Sequence, residues 1–122
     1  MKLIDTSCWV HQLRRSGKPE IRQRVELLLA SGQAAWCSIV RLELWNGVGN
    51  DQERKVLWEY EALIPEYPIT DEVWEQACEL ASRCRRAGKT ASGGDVLIAA
   101  CARHHGVEVE RADSHFDFLM TL

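Results

Sequence analysis

Residues 2–10 read KLIDTSCWV, and this stretch decides the fold. Leu3 and Ile4 are adjacent and both apolar. Successive side chains on a strand point to opposite faces, so the pair suits a short strand over residues 2–5 covered on both sides, as in a parallel sheet flanked by helices. Thr6 and Ser7 then open a helix, which leaves Asp5 where a strand hands over to a helix. Further along, the same alternation recurs. Residues 20–31 put Ile21, Val25 and Leu28 on one helical face with charges opposite, and Gly32 closes that helix. Residues 34–37 predict a second short strand. Ser38 is expected to N-cap a helix through Trp45 that Asn46-Gly47 ends. A helix over 51–63 stops before Pro65, an extended piece follows near Tyr67, and Thr70 caps a longer helix running to Gly88. Val73, Ala77, Leu80 and Cys84 form the apolar stripe of that helix.

Gly93-Gly94 leads into a helix from Asp95 to about His105, ended by Gly106. Its run VLIAACA, residues 96–102, is apolar all round and predicts a centrally buried helix. Val107 and Val109 alternate with Glu108 and Glu110 as a strand does, and residues 113–119 predict a final short helix. Strands alternating with helices argue for an α/β fold with a mainly parallel sheet.

With 122 residues and 46% hydrophobic content, residues 1–122 are expected to form one domain with a real core, without repeats or linkers. The longest apolar run is far shorter than the ~20 residues of a membrane span, and the start MKLIDTSC lacks the apolar core of a secretory signal, so a cytoplasmic protein is expected. The five cysteines are irregularly spaced and include no Cys-x-x-Cys pair, which points to small buried hydrophobes rather than a disulfide framework or zinc site. The net charge of −3 hides an acidic middle third and two basic clusters. These are Arg14, Arg15, Lys18, Arg22, Arg24 and then Arg83, Arg85, Arg86, Lys89. Each alone suits a solvated face, and either is able to contact a phosphate backbone. No G-x-G-x-x-G follows a strand and no phosphate-binding Gly-Lys loop is present, which removes the usual nucleotide-cofactor signatures. His104 and His105 are expected to cap a helix end, and His115 to lie on the surface. Trp9, Trp45 and Trp58 are candidates for part of a partner groove, although tryptophans are mostly core.

The chemistry-bearing residues are acids. Asp5, Asp95 and Asp113 each stand where a strand or loop hands over to a helix, the end of an open parallel sheet where ligands collect. Each alone also suits a helix N-cap or first-turn acid. Glu43 lies in SIVRLELW, a helix otherwise apolar apart from Arg41. Such a carboxylate reaches solvent, pairs with a cation or binds a metal, and Arg41, two residues away, does not share its face. If Asp5, Glu43, Asp95 and Asp113 converge, their repulsion calls for a hard cation. An all-oxygen set suits Mg²⁺ or Mn²⁺, and the chemistry becomes metal-assisted phosphodiester hydrolysis.

IDTSCWV at 4–10, SIVRLELWNGV at 38–48, GGDVLIAACARHHG at 93–106 and ADSHFDFL at 112–119 follow one another in the order of the acidic motifs of the PIN domain. The chain resembles that family over nearly its whole length, and especially VapC-like toxins. The resemblance implies a PIN-like three-layer α/β/α sandwich with a mainly parallel central sheet. It also implies a Mg²⁺- or Mn²⁺-dependent endoribonuclease acting on structured cellular RNA, the toxin of a type II toxin-antitoxin pair. A VapB-like antitoxin and a second copy, as a homodimer, are the partners implied. Asp5, Glu43, Asp95 and Asp113 match the family's catalytic, metal-holding acids, and Thr6 or Ser7 the hydroxyl that supports the first aspartate. The chain departs from the pattern in its strand VEVE, with Arg111 where the family usually has Thr. It also stops at Leu122, where the family tends to continue into another short strand, so an edge strand is expected to be missing. Arg111 favours the alternative, a catalytically inactive PIN-like module that binds RNA or protein.

Overall fold

The computed structural model describes residues 1–122 apart from the side chain of His115. The chain runs β1 (Lys2–Ile4), α1 (Thr6–Leu13), α2 (Pro19–Ala30), β2 (Ala34–Ala35), α3 (Ser38–Gly47), α4 (Asp51–Leu63), α5 (Asp71–Arg86), α6 (Gly93–His105) and β3 (Glu108–Glu110). A 3₁₀ turn at Ser114–Phe116 then leads into α7 (Asp117–Thr121). The strands form a parallel sheet in the order β2-β1-β3, with Leu3 opposite both Ala35 and Val109. Leu3 and Ile4 point to opposite faces, yet both are fully buried, so helices cover the sheet on both sides. The result is the expected α/β/α sandwich with a parallel sheet as its middle layer.

Helix α6 lies at the centre. Every residue from 96 to 102 is buried, as the apolar run predicts, and α5 lies along it with Val73, Ala77, Leu80 and Cys84 turned inward. Trp9 is buried too. Its Nε1 donates to the Ile4 carbonyl at 3.1 Å, so its one polar atom is satisfied inside the core. Its ring packs against Trp36 and Tyr60 at centroid separations of 5.7 and 5.2 Å. Trp45 and Trp58 lie elsewhere, edge to face with each other, and Trp58 is exposed. The extended piece near Tyr67 is present as a parallel bridge between Trp36 and Glu66. Cys8, Cys37, Cys84 and Cys101 are buried free thiols, while Cys78 is exposed. Among the described residues, no helix is long and apolar enough to cross a membrane.

Several boundaries differ from expectation. Ser38 is not the N-cap of α3 but its first residue. Cys37, still extended at φ −129 and ψ 169, holds the cap position without a side-chain bond, and its carbonyl accepts Arg41 N. The helix continues through Asn46-Gly47 rather than ending there. Helix α5 ends at Arg86, two residues before Gly88, whose φ of 69° reverses the chain. Asp113 does not begin a helix, because the 3₁₀ turn intervenes. In β3 the buried member is Glu110, at 8% exposure, while Val109 is only partly covered. Glu110 tolerates burial because Arg24 of α2 donates to it at 2.6 Å and Lys2 of β1 at 3.3 Å.

Candidate active site

The central strand β1 delivers Asp5. Its backbone N–H still donates to the Glu110 carbonyl at 3.0 Å, so the residue is anchored on the sheet as the chain turns into α1. Its side chain is the N-cap of that helix: Oδ1 accepts Cys8 N at 3.0 Å and Ser7 Oγ at 2.9 Å. At 7% exposure, burial pushes the Asp5 carboxyl above the usual aspartate range. The bonds from Cys8 and Ser7 oppose that rise, and the negative charge of Asp95 adds to it.

Glu43 projects from α3 into solvent, and Thr6 Oγ1 donates to its Oε1 at 2.7 Å. Arg41 is turned elsewhere, as neighbours two apart on a helix must be. It binds Glu61 at 2.9 Å and Glu66 at 2.6 Å. Partial burial raises the Glu61 carboxyl, but hydrogen bonds from Trp45 Nε1 and Arg41 outweigh this and hold it below the ordinary glutamate range.

Asp95 stands in the first turn of α6. It is not the cap: Ser92 Oγ fills that role, accepting Asp95 N at 3.1 Å. Its half-buried carboxylate lies at the positive end of the helix dipole and near enough to Asp5 for its charge to be felt there. Gly94, one residue earlier, lies against the Glu43 carboxylate. Asp5, Glu43 and Asp95 are thereby brought to one end of the sheet, linked through Thr6 and Gly94.

Asp113 is exposed, in the loop 111–113 that leaves β3 at the same carboxyl end, since β3 runs parallel to β1. Arg111 is clasped on two nitrogens by Asp117, at 2.9 Å each, and this pairing first, then the charges of Glu110 and Asp113, holds its guanidinium more firmly protonated. His105 behaves otherwise than expected at the end of α6. His105 lies 2.8 Å from the Pro68 carbonyl and over the Tyr67 ring rather than on its own helix, whose end Gly106 closes at φ 67. The side chain of His115 lies outside the described residues. Among the described residues, no three His, Cys, Asp or Glu side chains are gathered closely enough to hold a metal ion. The acids therefore form an open set rather than a closed cage.

Two contributors escaped the sequence reading. Thr6, considered only as a support for the first aspartate, holds Glu43, while Ser7 supports Asp5. Gly94 read only as a helix start. The one available signal was a second glycine inside a helix's first turn, where nothing local calls for it.

Comparison with known proteins places these observations. The PIN domain family matches residues 2–118. The chain is 31% identical over 122 residues to VapC ribonuclease Mb1587 of Mycobacterium bovis, covering 98% of this chain and 91% of that protein. It is 32% identical over 106 residues to Ribonuclease VapC21 of Mycobacterium tuberculosis, covering 84% and 77%. Among solved structures, VapBC2 from Rickettsia felis bound to a promoter DNA fragment aligns with a TM-score of 0.77 at 20% identity, covering 93% of this chain and 87% of that one. FitAcB from Neisseria gonorrhoeae aligns with a TM-score of 0.74 at 22% identity, covering 100% and 94%.

Proposed function

The chain belongs to the PIN domain family, and on that premise we propose that it is a Mg²⁺- or Mn²⁺-dependent endoribonuclease, the toxin of a type II toxin-antitoxin pair. The observation that carries this reading is the meeting of Asp5, Glu43 and Asp95 at the carboxyl end of the central strand. Helix caps alone would have no reason to share a site, and Glu43 and Asp95 are not caps at all.

The donor set fits a hard divalent cation. It is all oxygen, and the Asp5 carboxyl is raised by burial and by the Asp95 charge, a repulsion that a divalent ion offsets. Its openness also suits Mg²⁺, which keeps several waters and takes only one or two carboxylates from a protein. Asp5, Glu43, Asp95 and Asp113 would hold it by one or two direct oxygens and by water-mediated contacts from the rest, since no three described side chains stand close enough to bind it together. When bound, such an ion acidifies water and offsets charge on the phosphate. The protein's own part is orientation. Ser7 and the Cys8 N–H fix one oxygen of Asp5, Thr6 fixes one oxygen of Glu43, and Ser92 sets the turn that carries Asp95.

The relatives named VapC ribonuclease and the VapBC structures support an RNA substrate and a VapB-like antitoxin; a homodimer in the cytoplasm is part of the same proposal. The alternative of an inactive binding module rests on Arg111, whose guanidinium is held by Asp117, and the cleavage assay separates it from the nuclease. The test is total RNA incubated with the purified chain in Mn²⁺ or in EDTA. Cleavage confined to the metal lanes and lost in Asp5→Asn is expected, and intact RNA in every lane overturns the reading.

A further inference from the structure

Arg24, Arg41, Arg54, Arg83 and Arg111 are each matched by a carboxylate. Arg14, Arg15, Arg22, Arg85, Arg86 and Arg103 have no such side-chain partner among the described residues, and three of these, Arg14, Arg15 and Arg22, share one groove. Among the described residues none of the three pairs with an acid, and all line one groove of about 840 Å³ between the α1–α2 connection and α4, with Asn50, Gln52, Glu53 and Tyr60 on its far side, so that three guanidinium groups face one carboxylate. Arg22 Nη1 donates to the Arg15 carbonyl at 3.4 Å, which holds the two side by side. Arg14 and Glu53 also line the small adjoining cleft that contains Glu43, whose other walls are mostly apolar, so Arg14 is the basic side chain shared by the groove and that acid.

Like charges kept together and unneutralised repel one another, and a groove that concentrates them attracts anions. Guanidinium forks match phosphate oxygens, and unpaired ones need break no ion pair before binding. The second basic cluster is divided, with Arg85 and Arg86 pairing with no acid among the described residues but sharing no groove with the site acids. Arg83 is paired with Glu79, and Lys89 lies over the Phe118 ring.

We propose that this groove is the path of the RNA strand: Arg14 binds a phosphate beside the one to be cleaved, and Arg15 and Arg22 bind phosphates further along. The proposal rests on the nuclease reading above and adds where the substrate lies and which residues position it. An acidic protein segment is the competing occupant. The Gln52 amide and an Arg14 shared with the Glu43 cleft favour a phosphate chain that ends at the acids, the Asn50 amide being engaged by Glu53.

The test uses the full chain carrying Asp5→Asn, so that RNA is bound but not cut, and a short fluorescent single-stranded RNA titrated at several salt concentrations. Arg15→Ala/Arg22→Ala is expected to weaken binding several-fold and to lower the slope of log affinity against log salt by about 0.7 for each phosphate no longer neutralised. Arg15→Lys/Arg22→Lys, which keeps the charges, should retain the slope and shows that the site still folds. Arg14→Ala should act in the same direction, and Arg85→Ala/Arg86→Ala should match the parent. An unchanged slope in the alanine pair, or weaker binding in the Arg85/Arg86 control instead, overturns the groove and leaves the nuclease reading standing. Poly-glutamate bound as tightly as RNA and weakened by the same substitutions assigns the groove to a protein partner and overturns it too. No RNA binding by the parent at all overturns both readings.

Discussion

A Cβ on Gly94 would stand 3.1 Å from Oε2 of Glu43, closer than ordinary van der Waals contact. Gly94 has no positive φ, unlike Gly32, Gly88 and Gly106, so its backbone is one any residue adopts. The glycine is required by what approaches it. Gly94→Ala is therefore expected to leave the melting temperature unchanged or higher, because alanine favours a helix by up to about 1 kcal/mol over glycine. RNA cleavage should fall on the order of tenfold, since the Glu43 carboxylate must move by a few tenths of an ångström. A variant as active as the parent would mean that the position of Glu43 does not matter.

Asp5→Asn, Glu43→Gln and Asp95→Asn should each remove nearly all metal-dependent cleavage while the fold persists, because each deletes a charged oxygen with little change of shape. Asp113→Asn should also reduce it. Circular dichroism alongside the cleavage assay separates loss of chemistry from loss of fold, and full activity in two of the first three variants would dismiss the assignment.

Bound Mn²⁺ should raise the melting temperature through ligand linkage, about 2.7 kcal/mol of stabilisation at a hundredfold excess over Kd. In Asp95→Asn the metal-free protein should be as stable as the parent or more so, with the metal response largely gone. Melts at fixed ionic strength decide this, and equal metal responses in the two proteins would sink the shared site.

The Asp5 carboxyl also sets a pH dependence. Its folded pKa lies above its unfolded one, through burial and the Asp95 charge. Protonated Asp5 thus contributes stability that is present below the unfolded pKa and lost as pH rises through the folded pKa. Asn keeps the cap, since its side-chain oxygen accepts the Cys8 N–H as well as Asp does. In EDTA, the stability of Asp5→Asn relative to the parent should therefore grow from about pH 4 upward and level off above the folded pKa. A relative gain by the parent over that range would reverse the assigned sign.

Glu110 and Arg24 form an acid-base contact between β3 and α2, at 2.6 Å. Arg24→Met should cost about 1–3 kcal/mol in urea unfolding, less than a wholly buried pair because Lys2 still reaches Glu110 and Arg24 is partly solvated. Adding Glu110→Val should recover most of that loss. If the double variant is no more stable than Arg24→Met, the cost does not come from a carboxylate left without its partner.

The order of strands and helices was legible in the sequence because it depends on short-range pattern. Leu3 beside Ile4 marks a strand covered on two faces, residues 96–102 mark a buried helix, and Thr70 marks a cap, each within a few residues of its cause. The acids Asp5, Glu43, Asp95 and Asp113 could be picked out by the same means, and their match to the PIN motifs added a shared purpose. What each acid touches could not be read this way. Thr6 reaches Glu43 across 37 positions and Arg24 reaches Glu110 across 86. Gly94 matters only because α3 passes α6, and Arg14, Arg15 and Arg22 form a wall only because α4 faces them. Periodicity reports which face of an element is apolar, but it is silent on which element lies opposite. That choice follows from β1 taking the centre of the sheet, with β2 and β3 on either side, which carries the ends of distant segments to one edge and lets a polar side chain find a partner that no local pattern encodes.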